Sequence, residues 1–139
     1  MTRVGFYVVQ ATEASQRLGV AARLADKAFA QGHRIYINAE DKAQAEALDE
    51  LLWSFRPSSF LPHAMTGDPQ SQQIAIGWGQ DPGDHNDLLI NLQLDIPAFF
   101  SRFQRVAEVV TQDEQSLAAL RKSWVFYKDR GYQLEKHDL

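Results

Sequence analysis

Four histidines, at positions 33, 63, 85 and 137, are the side chains best placed to do acid–base or metal chemistry near neutral pH. No two of them stand at the spacing that puts paired ligands on one helical face. The tetrad Asp84-His85-Asn86-Asp87 has the composition of a hard-metal loop, but it lacks further convergent oxygens and reads better as a solvated turn before a strand. His63 follows Pro62 with no nucleophile or activating partner nearby, so a hydrogen-bonded structural role suits it better than a general base. No serine sits in a G-x-S-x-G elbow. The absence of cysteine removes disulfides, thiolate metal sites and thiol nucleophiles together. Phosphate-cradling loops are missing too. Val9-Gln10-Ala11-Thr12-Glu13, after the first expected strand, has no glycine for close backbone approach and an acid that would repel a pyrophosphate. Gly77-Trp78-Gly79 lacks both a third glycine and a following helix. These residues compose no catalytic centre, no metal site and no cofactor site.

Two clusters invite adhesion instead of chemistry. Trp53 ends an expected helix, and Phe60-Leu61-Pro62-His63 follows seven residues later on a loop. Such groups either tuck under the loop as core or form an exposed patch that marks a partner surface. The second cluster lies near the C-terminus. At 100° per residue Leu117, Arg121, Trp124 and Lys128 share one face of a helix, with Val125 on its shoulder. Helix-dipole complementarity explains cations near the C-terminal end, and Leu117, Leu120, Trp124 and Tyr127 would then be a packed stripe. That account leaves unexplained why cations sit within the aromatic stripe. An apolar pocket beside Arg and Lys suits a short acidic peptide with a terminal hydrophobe.

The elements that position these residues alternate. Val4 to Val9 is an apolar, β-branched run expected to be a buried strand. A helix is expected from about Glu13 to Gln31, with Leu18, Ala22, Ala25 and Phe29 on one face and Gly32 as its terminator. His33 to Asn38 alternates as a second strand, and Glu40 and Asp41 open the next helix. After Trp53 a long irregular segment is broken by Pro57, Pro62, Gly67 and Pro69. Ile74 to Trp78 and Leu88 to Leu92 read as short strands around the turn chemistry of Asp81-Pro82-Gly83-Asp84. Pro97 suits the first turn of a short helix through Phe103, and Val106, Val109 and Val110 mark a last strand. Thr111 with Glu114 fits a capping box for the final helix, which Gly131 ends. This order implies one α/β domain over residues 1–139, a mainly parallel central sheet flanked by helices.

Composition narrows the partners. No apolar run approaches the roughly 20 residues of a membrane helix, and the N-terminus has no signal-peptide pattern, so a cytoplasmic protein is expected. The net charge is −4. From Arg121 to Leu139 five basic residues face three acidic ones, so that segment carries +2 and the rest of the chain −6. An acidic body with a mildly basic C-terminus is unsuited to gripping nucleic acid directly.

Phe6-Tyr7, Leu48-Asp49…Leu52-Trp53, Phe60 to His63, Asp87-Leu88-Leu89-Ile90-Asn91-Leu92 and the basic-aromatic helix from Arg121 to Tyr132 run in order along nearly the whole chain. In this the chain resembles the chi subunit family of the bacterial DNA polymerase III holoenzyme. The resemblance implies a fold like a mononucleotide-binding domain without its phosphate loop, and a non-catalytic adaptor in replication with no cofactor. It implies a patch of Trp53, Phe60, Leu61, Pro62 and His63 for the psi subunit of the clamp-loader assembly. It also implies a site for the acidic, Phe-ending tail of single-stranded-DNA-binding protein at Arg121, Trp124, Tyr127 and Lys128. Val125 stands where relatives often carry a basic residue, which departs from the family pattern. Nucleic acid would be met only indirectly, and neither a membrane nor a small-molecule substrate is implied. Two rivals are an adaptor of this kind serving a helicase or repair assembly, and a degenerate mononucleotide-binding enzyme.

Overall fold

The computed structural model describes residues 1–54, 63–65 and 73–139. Strand β1 (Arg3–Val8) buries Val4, Phe6 and Val8 on one face, as its alternation requires. A 3-10 turn at Ala14–Gln16 leads into helix α1 (Arg17–Ala30), so the helix starts later than its first acid, Glu13, which is still extended. Four alanines, 21, 22, 25 and 28, line its buried face and let it lie close to the sheet. Gly32, at φ 85°, ends the helix. Its N–H donates to Phe29 O and that of His33 to Ala28 O, the paired bonds that satisfy the last carbonyls.

Strand β2 (Ile35–Asn38) is buried throughout. Asp41 Oδ1 accepts from Gln44 N at 2.8 Å at the start of α2 (Lys42–Ser54), whose buried stripe is Ala45, Leu48 and Leu52. Next come β3 (His63–Met65), β4 (Ile74–Gly77), β5 (Leu88–Asn91), a 3-10 turn at Phe100–Arg102, and β6 (Arg105–Val110). Helix α3 (Glu114–Asp129) and strand β7 (Gln133–Asp138) complete the order. The seven strands among the described residues are all parallel, in the order β3-β4-β2-β5-β6-β1-β7. One apolar layer packs α1 and α2 on one face of the sheet. A second layer joins Val4, Phe6, Phe100, Phe103 and Tyr127 beneath α3 on the other. The expected single α/β domain with a central sheet flanked by helices is what forms, and the sheet is wholly parallel.

Five local expectations change. Within the segment read as irregular, β3 pairs with β4 as a three-residue edge strand. The segment after Pro97 forms only a 3-10 turn, because Phe103 is already extended and leads straight into β6. The cap of α3 is Asp113, whose Oδ2 accepts from Ser116 N at 3.1 Å; Thr111 is fully buried and donates its hydroxyl to Asp113. His85 is buried against the Tyr36 ring, 6.1 Å between centroids, where a solvated turn was expected. Strand β7 is absent from the sequence reading: Gln-Leu-Glu-Lys-His-Asp is charged and largely exposed, so hydrophobic alternation barely marks it.

Candidate peptide-binding site

Helix α3 and strand β7 build an apolar concavity on the surface. Gly131, at φ 79°, ends α3; its N–H donates to Lys128 O and that of Tyr132 to Tyr127 O. The chain then turns back at once, and β7 lies in register beside β1, which sets Lys136 next to Phe6. Side chains at paired positions of neighbouring parallel strands point the same way, so Lys136 shares the α3-facing side with Phe6. From above, α3 contributes Leu120, Arg121, Trp124 and Val125. Together these six residues enclose an open groove of about 450 Å³.

Its floor is aromatic. The Trp124 and Phe6 rings lie 5.2 Å apart, tilted by 47°. Tyr127 meets Phe6 edge-on at 6.0 Å. Val125 is 55% exposed and forms an apolar lip, while Arg121 and Lys136 are the groove's two cations. The groove offers ring contact on its floor and charge-assisted hydrogen-bond donors at its rim.

Of the residues expected at this site, the fold brings Arg121, Trp124 and Val125 together. Tyr127 does not reach the groove. It is fully buried, and its hydroxyl donates to Glu108 Oε2 at 2.8 Å, because its position on α3 points straight at the sheet. Lys128 is exposed in the last turn but does not line the groove. Lys136, Phe6 and Leu120 were missed as site residues. Lys136 became visible only with β7 in place, because the strand's largely charged sequence carries no clear hydrophobic alternation.

The second expected cluster is only partly described. Trp53 stands 56% exposed at the C-terminal end of α2. Phe60, Leu61 and Pro62 lie outside the described residues, and His63 is placed only by its backbone, at the start of β3.

Residues 1–135 match the family described as DNA polymerase III chi subunit, HolC. The chain belongs to that family. It is 45% identical over 139 residues to the DNA polymerase III subunit chi of Pseudomonas aeruginosa, covering all of this chain and 98% of that protein. The proteins of the same name from Haemophilus influenzae and Escherichia coli are 31% and 29% identical over 123 and 118 residues. Those matches cover 86% and 83% of this chain, and 85% and 80% of the relatives. Among the described residues there is no group of three or more potential metal ligands. No described helix of this chi-family protein is long and apolar enough to cross a membrane.

Proposed function

We propose that this chain is a non-catalytic adaptor of bacterial DNA replication, an accessory subunit of the DNA polymerase III assembly. One surface, around Trp53, serves psi and so the clamp loader. The other, the α3–β7 groove, takes the acidic C-terminal tail of single-stranded-DNA-binding protein. The observation that carries this reading is the groove itself, in which a Phe6–Trp124 floor lies between Arg121 and Lys136. Tethering of this kind raises effective concentration at the lagging strand without any chemistry of its own, in the cytoplasm where replication runs.

Calorimetry with an acidic, Phe-terminated peptide tests the groove. Arg121→Ala should weaken binding by about 1.5–3 kcal/mol, the range of a charge-assisted hydrogen bond. Removing the peptide's terminal Phe should cost a similar amount, since each change removes half of a two-part anchor. Equal affinity of the wild type and Arg121→Ala would move the tail site elsewhere.

A further inference from the structure

One carboxylate is buried directly behind the groove. Glu108 lies in β6 and is 6% exposed. It is the in-register neighbour of Phe6, whose other neighbour is Lys136. A single rung therefore runs Lys136, Phe6, Glu108, Asn91, Asn38 across β7, β1, β6, β5 and β2. Its polar half is closed by hydrogen bonds. Tyr127 Oη donates to Glu108 Oε2 at 2.8 Å, and Asn91 Nδ2 donates to Oε1 at 2.9 Å. Asn38 Nδ2 donates to Asn91 Oδ1 at 3.1 Å, and Gly79 N donates to Asn38 Oδ1 at 3.2 Å.

A cavity of about 20 Å³ is lined by Glu108 together with Phe6 and Leu120, and these last two also line the groove. Neighbouring strands are about 4.8 Å apart, so the backbones of Glu108 and Lys136, two strands apart, lie about 10 Å from each other. Across a low-dielectric aromatic layer that separation still transmits charge.

We propose that Glu108 sets the affinity of this groove for acidic peptides, opposing them when ionised and ceasing to when protonated. The inference rests on the groove being the tail site. The charged or titratable groups around Glu108 do not cancel its effect. From α3 it faces Tyr127, and from β1 and β5 only Phe6 and Asn91. At the start of α1, Arg17 lines the same cavity but is paired with Glu40 at 2.6 Å. From β7, Lys136 lies beyond Phe6 with Asp138 at 3.7 Å. Burial lifts the Glu108 carboxyl to about 7, against the opposing hydrogen bonds from Tyr127 and Asn91. The switch therefore falls within the physiological range, where peptide acids stay ionised.

Calorimetry of the full chain with the acidic, Phe-terminated peptide between pH 6 and pH 8 tests this. The wild type should bind roughly three- to ten-fold more tightly at pH 6, the scale of one charge felt at about 10 Å. Glu108→Gln should flatten the profile and hold the tighter affinity at pH 8. Tyr127→Phe removes a bond that favours the ionised form, so its transition should move to higher pH, a shift that simple loss of packing would not give. A wild-type profile flat with pH overturns this inference while leaving the tail site standing. A full-sized pH dependence surviving in Glu108→Gln also overturns it. No binding at any pH removes the tail reading and this inference with it.

Discussion

Glu108 shows how one residue links the core to pH. In the unfolded chain its carboxyl titrates near 4.5, and in the fold near 7, so between those values the folded state holds the extra proton. Stability should therefore fall as pH rises from about 4.5 to 7 and level off above, by on the order of 3 kcal/mol. Thermal unfolding at intervals across that range checks it, and Glu108→Gln should abolish the slope. Asp113 behaves in the opposite sense. The hydrogen bond from Thr111 leads, with those from Ser116, in holding its carboxyl below the usual range. Asp113→Ala should lower stability by about 1 kcal/mol through loss of the α3 cap. Tyr127 shows the resemblance and the helical spacing disagreeing over one residue: the resemblance assigns it to the tail site, whereas the packed stripe of Leu117, Leu120, Trp124 and Tyr127 assigns it to the core, where burial and its hydroxyl's hydrogen bond to Glu108 hold it.

At the scale of elements, the groove depends on β7 as much as on α3. Helical periodicity placed Arg121 and Trp124 on one face with Val125 on its shoulder, as the groove has them, but it also put Leu117 and Lys128 there, and neither lines the groove. It could not say which cation would face them from another element. Lys136 does so because β7 pairs with β1 in the register Phe6–Lys136. Lys136→Ala should therefore weaken the acidic peptide more than Lys128→Ala, by a few-fold in Kd at low salt, and the difference should shrink as salt is added. Parallel calorimetric titrations of the two variants decide it. Equal effects would mean that the peptide follows the helix end and not the strand. The Schellman turn at Gly131 sets the sharp return that makes this pairing possible, and its φ of 79° suits glycine alone.

For the molecule as a whole, the two proposed surfaces lie on different elements, α2 and the α3–β7 pair, so they should be separable. Trp53→Ala should weaken psi by about 2 kcal/mol or more while leaving peptide binding and melting temperature nearly unchanged, since the side chain is more than half exposed. A loss of several degrees with full psi affinity would return Trp53 to a packing role. The charge distribution, −6 on the body and +2 on the C-terminal segment, predicts no appreciable affinity for single- or double-stranded DNA at physiological salt. Fluorescence anisotropy with a labelled oligonucleotide measures this; low-micromolar, salt-sensitive binding would contradict it.

The apolar runs of β1, β2, β4 and β5 and the periodic stripes of the helices determined the α/β class, since strands buried on both faces must be nearly uniformly apolar. The ordered motifs from Phe6 to Tyr132 determined the family. Neither placed β7, whose residues are charged because an edge strand is half-solvated. Neither revealed that His85 is buried, or that Glu108 hides behind the groove floor. An acid in a strand looks the same in sequence whether it faces water or a tyrosine on a helix packed above it. Which of the two it faces is decided by strand order and register, and those are set by contacts between residues far apart in the chain.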